Sequence, residues 1–331
     1  MAIEAAKWAW ALEVLGFKVV TIAGEGTADR LISGLAIHAP SPPESSEVTD
    51  ALADAELVVV ENLCSLPLNE AAASVVAGVL KGRRTILHHH DLPWQRPEYA
   101  LHPPPPDDPN WAHVTINELS RRQLGAHRID ATVVRNTFDV DARGGERDRT
   151  RAALDVTPEQ SLVLQPTRAL ARKNVAGGIA LAEDIKGVFW LLGPAEDGFG
   201  PELDRLVSRA QCECLLGPPP EADGWSTADA YAACDVVALP STWEGFGNPA
   251  VESAVYRRPL AIGAYPVAAE LEAFGFLWFS ARNGAAVASF LDRPDPGLLE
   301  HNHRIARQHF ALGLLPDRIG RVIEATGWSF P

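Results

Sequence analysis

Short β-branched runs recur along this chain with helix-patterned segments between them, and this alternation limits the fold more than any other feature. In the first half the runs are "KVVTIAG" from Lys18, "ELVVVEN" from Glu56, "RTILHHH" from Arg84, "HVTIN" from His113 and "ATVVRN" from Ala131. Segments such as "MAIEAAKWAWALEVLG" and "NEAAASVVAGVLKG" separate several of them. Apolar strands buried on both faces need covering helices, so the pattern predicts a parallel α/β layer. The alternation then restarts with "SLVLQPT", "GVFWLLG", "CECLLG", "DVVALPS" and "RPLAIGA", with "GGIALAEDI" and "GPELDRLVSRA" as intervening helices. A chain of 331 residues exceeds what one core usually serves, and two domains of about 150 residues each are expected. Between them "DARGGERDRT", residues 141–150, is polar, carries glycines and lacks apolar period, which marks it as the linker. The expected division is 1–142, 143–310 and a closing segment 311–331. Ligands of such sheets bind at the carboxyl ends of the strands.

Composition excludes some classes of function. Lys+Arg 29 against Asp+Glu 43 leaves a net charge of −14, which argues against a broad nucleic-acid footprint. No apolar stretch approaches the roughly 18 residues that span a bilayer, and the N-terminus lacks a basic start and a small-residue cleavage site. A cytoplasmic protein without a transmembrane segment is expected, with peripheral membrane contact left open. Cys64, Cys212, Cys214 and Cys234 are too scattered for a disulfide framework, and alternation on a strand is the simpler account of them. The proline-rich "LHPPPPDDPNW", residues 101–111, is expected to be a surface loop.

The chemistry concentrates in "STWEGFGNPAVES", residues 241–253. "DVVALP" reads as a buried strand ended by Pro240. Asn248 followed by Pro249 reads as a helix start, with Asn248 as the cap. Glu244 then lies in the loop and Glu252 in the first helical turn, while Gly245 and Gly247 permit close backbone approach. Free backbone N–H groups would face an anion, flanked by carboxylates that accept hydrogen bonds from hydroxyls. A phosphate joined to a sugar matches this. Two other readings stay open on the residues alone. Both glutamates can be ordinary helix-start residues, worth roughly 0.3 to 1 kcal/mol each, and "GFGNPA" also satisfies the dinucleotide pattern G-x-G-x-x-A. The latter needs its first glycine at the strand end, whereas "PSTWE" intervenes.

"LPSTWEGFGNPAVESAVYRRPLAIGAYPVAAE" resembles the donor-site signature of the retaining glycosyltransferases of family 4, in which two glutamates separated by seven residues surround an F-G turn. "VTINELSRRQL", "VVRNTFDVD" and "YAACDVVALP" resemble further segments of that family. The resemblance implies the GT-B architecture of two facing Rossmann-like parallel-sheet domains, with a last helix within Gly313 to Trp328 packing back on the first domain. It implies that Glu244 binds donor-sugar hydroxyls, that Glu252 binds the ribose, that the backbone of Phe246, Gly247 and Asn248 contacts the sugar, and that Glu270 lies near the nucleotide. In "QPTRALARKN", Arg168 and Lys173 can converge on a diphosphate or simply sit in a solvated loop. The resemblance implies the former, so no metal is needed for the phosphates and no cofactor is expected beyond a nucleotide diphosphate sugar, UDP or GDP.

"TILHHHDLPW" holds His88, His89, His90 and Asp91. Three consecutive strand histidines cannot all face one metal, since neighbours alternate sides, so no metal site is expected. A polar strand end is the residue-level account, and the resemblance places His90 and Asp91 close to the transferred sugar. "LLGPAEDG" and "CLLGPPPEADG" are expected to form loops near the base.

Three features depart from the family pattern. The chain begins at a helix where the family has a strand and a glycine-rich loop, which implies a late start or a truncated relative. Thr137 replaces a glycine, and Arg257 stands at a helix end where glycine is usual. The expectation is a retaining, metal-independent hexosyltransferase acting on an unknown small-molecule, lipid or glycan acceptor by front-face attack, with domain closure completing the site. A non-catalytic sugar-nucleotide-binding relative and a nucleotide-sugar epimerase are the alternatives.

Overall fold

The computed structural model describes residues 2–219 and 224–331. Its contacts divide the chain into one unit of Met1–Asn136 with Gly313–Pro331, and a second of Thr137–Leu312. The junction precedes "DARGGERDRT", whose end is instead the start of a helix, Arg147–Ala153. That helix belongs to the second unit because Arg147 and Arg151 both reach Asp235, at 2.6 and 3.2 Å. Arg151 also donates to the carbonyls of Thr157 and Gln160, so the basic residues here serve the packing of their own unit.

The first unit contains strands β1 (Ile22–Ala23), β2 (Arg30–Leu31), β3 (Val58–Glu61), β4 (Thr85–His89), β5 (Trp111–Thr115) and β6 (Ala131–Val133). The last four form a parallel sheet in sequential order, whereas among the described residues β1 and β2 pair only with each other. "KVVTIAG" therefore departs from expectation, since only Ile22–Ala23 is strand and Val20 is 48% exposed. β-Branched residues favour extended backbone, but a ladder also needs a neighbouring strand in register. The helix Leu315–Ala325 packs on the helix Ala2–Val14, which returns the end of the chain to this unit.

The second unit contains β7 (Leu162–Gln165), β8 (Val188–Leu191), β9 (Cys214–Leu216), β10 (Val236–Leu239), β11 (Leu260–Ile262) and β12 (Phe279–Ser280). They are all parallel, in the order β12-β11-β10-β7-β8-β9. Counted from β7, this is the doubly wound Rossmann order, with the reversal between β7 and β10. β7, β8 and β10 are buried along their whole length, which explains their unbroken apolar runs. The core packs Val163, Phe189, Leu191, Val236 and Ala238 against Ile179 and Leu203 from covering helices.

The cysteines differ from expectation. Cys214 is in β9, but Cys64 and Cys234 are buried outside strands, and all four are free thiols. Arg257 adopts φ 52°, the left-handed conformation that its place after the helix requires. No helix among the described residues is long and apolar enough to cross a membrane.

Candidate functional site

The reversal between β7 and β10 sets the loops after these two strands side by side. Thr242 N–H donates to the Arg172 carbonyl at 2.9 Å, and Asn174 Nδ2 donates to the Pro240 carbonyl at 3.1 Å. Gln165 holds the first loop from within, donating to Thr167 Oγ1 at 3.2 Å and to the Lys173 carbonyl at 3.0 Å. Gly193, after β8, is pressed against the same loop: a Cβ there would lie 2.6 Å from Arg168 Cα. Only a glycine permits that approach.

These stitches bring together Lys173 and Glu244, 71 residues apart. Lys173 Nζ lies 2.6 Å from both carboxylate oxygens of Glu244, and Ser241 Oγ donates to Oε1 at 2.6 Å. Arg172 adds a guanidinium 3.6 Å from Oε2. Lys173 and Glu244 are only 9% and 6% exposed. Burial pulls the Lys173 pKa below its ordinary value; the charge of Glu244 offsets part of this, while Arg172 and Arg168 add to it. Lys173 is thus no solvated loop residue. Arg168 instead reaches Glu196 in the loop after β8, at 2.6 Å and largely exposed.

The helix after β10 runs Asn248–Val255. Its cap is Gly247 at φ 90°, not Asn248, and it makes no side-chain cap bond. Asn248 is already the first helical residue, and glycine is required before it, since a Cβ on Gly247 would meet Tyr265 Oη at 2.3 Å. Phe246 is buried against Phe138 and Phe310, with ring centroids 6.2 and 6.1 Å away, which leaves its backbone as the part able to face a ligand. Glu252 accepts from Tyr231 Oη at 2.6 Å, and Tyr231 stacks on Tyr256 at 4.8 Å. Burial, then the charge of Glu252, pushes the Tyr231 phenol well above its usual pKa. Glu270 is half-buried on the helix Pro266–Glu272. Tyr265 is a further candidate, because its hydroxyl is buried with no partner among the described residues. Burial raises its pKa, followed by the charge of Glu244. Of the two loops expected near the base, residues 220–223 lie outside the described residues.

The first unit carries a separate polar cluster. His88 and His90 straddle the end of β4 on one face, and both meet Glu61 at the end of β3. His88 Nδ1 is 2.9 Å and His90 Nε2 2.7 Å from Glu61 Oε2. Burial pushes the Glu61 carboxyl up, but the charge and hydrogen bonds of His88 and His90 outweigh it and hold the pKa at about 2. Burial lowers the His88 pKa. Asn62, at φ 61°, accepts the backbone N–H groups of His90 and Asp91 at 2.9 and 3.2 Å, and Asp91 pairs with Arg96 at 3.3 Å. His89 points the other way, to Ser65 and His113. Sequence reasoning missed Glu61, although "ELVVVEN" ends in the acid that β3 sets opposite His88.

The chain is similar to mannosylglucosylglycerate synthase of Thermotoga maritima, 26% identical over 334 residues that cover 83% of this chain and 78% of that protein. It is also similar to mannosylglucosylglycerate synthase of Petrotoga mobilis, 28% identical over 263 residues, which cover 65% of this chain and 60% of that one. Among solved structures it resembles Anabaena HepE, crystallised with UDP and glucose, with a TM-score of 0.66 at 17% identity over 85% of this chain and 81% of HepE. No family model matches. The fold is that of the GT-B glycosyltransferases. The sequence relatives are glycosyltransferases too, and glycosyl transfer is the activity they support for this chain.

Proposed function

We propose that this chain is a retaining glycosyltransferase that moves a mannosyl or glucosyl group from a nucleoside diphosphate sugar to a hydroxyl acceptor, without a metal on the phosphates. The observation that carries the reading is the pairing of Lys173 with Glu244 where the loops of β7 and β10 meet, at the switch point where ligands of doubly wound sheets bind. An ammonium has three donors. Two face Glu244, and the third is available to a diphosphate, with Arg168 as the second cation once it leaves Glu196. These charges would offset the negative charge that develops as the nucleotide departs. Glu252 would take the ribose hydroxyls and Glu244 those of the sugar, while backbone N–H groups at Gly247 and Asn248 face the anion. The roles of His90 and Asp91 at the sugar rest on the family resemblance alone. HepE holds UDP, which makes a uridine nucleotide the first to test.

The test is thermal unfolding with UDP, GDP, ADP and NAD, repeated with Glu252→Ala. Occupancy at about 100 times the dissociation constant adds roughly 2.7 kcal/mol of stability. A shift with one nucleoside diphosphate that is lost in the variant supports the donor site and identifies the base. No shift with any of them overturns the reading. Product anomers by NMR test retention, and transfer that requires added Mg2+ or Mn2+ would remove the metal-independent part.

A further inference from the structure

Glu61 and His88 are partners in the β3–β4 register, and His90 follows two residues later. On a strand, residues i and i+2 share a face, so both imidazoles and the carboxylate of the neighbouring strand converge. One nitrogen from each histidine and one oxygen of Glu61 lie within 4.8 Å of one another. Three consecutive histidines cannot converge in this way, but alternate ones with a carboxylate from the next strand do.

The cluster is held from several sides. The Trp8 ring lies 4.3 Å from His88, which lies 4.4 Å from the His90 ring. Asn62 fixes the backbone at His90. Glu4, buried on the helix that carries Trp8, acts electrostatically on His88. Nε2 of His88 is buried with no partner among the described residues. The side chains of His88, His90 and Glu61 are 1%, 12% and 18% exposed, so the site is enclosed yet open on the His90 and Glu61 side.

We propose that Glu61, His88 and His90 bind one Zn2+ ion, with a fourth position open to water. Two imidazoles and a carboxylate suit zinc, whereas Mg2+ prefers an all-oxygen octahedron. Zn–N and Zn–O bonds of about 2.0–2.2 Å place tetrahedral ligands roughly 3.3 Å apart. The present contacts of Glu61 to the two histidines, 2.7 and 2.9 Å, are shorter than that separation, so the carboxylate must draw back from the imidazoles to admit the ion. With Nε2 on the metal, Nδ1 of His90 carries the ring proton and becomes a fixed donor. The site shares His90 with the placement of that residue at the transferred sugar, but its test needs no nucleotide.

The full chain, freed of metal by a chelator, is titrated with ZnCl2 against a chromophoric chelator. One equivalent is expected to bind, at least ~10-fold more weakly in Glu61→Gln and in His90→Ala, with His102→Ala unchanged and excess Mg2+ not competing. No stoichiometric binding, or equal affinity in both site variants, overturns the proposal. Should the variants not fold, zinc-edge X-ray absorption on the unmodified chain decides. Two imidazoles with oxygen support the site, and sulfur or oxygen-only ligation overturns it.

Discussion

Each unit holds a glutamate beside the carboxyl ends of its strands, and the two are held by different chemistry. Glu244 is paired with a buried ammonium at 2.6 Å and with a hydroxyl. Glu61 meets two imidazoles, and burial lowers the pKa of His88 while the charge of Glu61 offsets part of this. Removing Glu244 strands a buried cation, but removing Glu61 takes a hydrogen-bond partner from two imidazoles. The difference separates an electrostatic clamp, matched to a charged ligand, from a carboxylate that accepts hydrogen bonds from two imidazoles.

Loss of the clamp should have the largest effect. Glu244→Ala is expected to destabilise the protein by about 3–5 kcal/mol, because Lys173 stays buried and uncompensated. Glu61→Ala in metal-free protein should cost only about 1–3 kcal/mol. Urea unfolding of both variants checks this, and equal losses would break the comparison. Activity lost in Glu244→Ala is therefore read beside its stability.

Gly247→Ala comes next. A left-handed residue costs roughly 1–2 kcal/mol, and the new Cβ would strike Tyr265 Oη at 2.3 Å. Combining it with Tyr265→Phe should restore the steric part only, so the double variant is expected between the wild type and Gly247→Ala in melting temperature. Full recovery would show that φ 90° costs nothing there.

The smallest effect is a slope with pH. Burial lowers the Lys173 pKa from 10.5, so above its folded value the unfolded chain binds more protons. Stability should therefore rise with pH up to 10.5, by no more than about 1.4 kcal/mol per pH unit, relative to Lys173→Met/Glu244→Gln. A slope of the opposite sign would mean that Glu244 outweighs the burial.

Much of this architecture is legible in the residues alone. "DVVALP" and "GVFWLLG" are unbroken apolar runs because β10 and β8 are buried along their length, and composition records burial directly. The candidate residues Lys173 and Glu244 are legible as types and as loop positions. Their contact is not, since sequence spacing carries no information on two loops 71 residues apart. "KVVTIAG" looks like its neighbours, but strand formation depends on a partner that lies elsewhere in the chain. The helix start at Asn248–Pro249 follows from its residue types, but the cap is Gly247, where Tyr265 leaves no room for a Cβ.

The sequence by itself determined the two parallel α/β layers and the acidic and basic loops that end their strands, because periodicity and turn chemistry act over a few residues. Only the tertiary structure decided which charges meet. The reversal between β7 and β10 set Lys173 against Glu244, and the β3–β4 register set Glu61 against His88. Both follow from the order in which strands pair, which is settled by the packing of the whole sheet rather than by any local pattern.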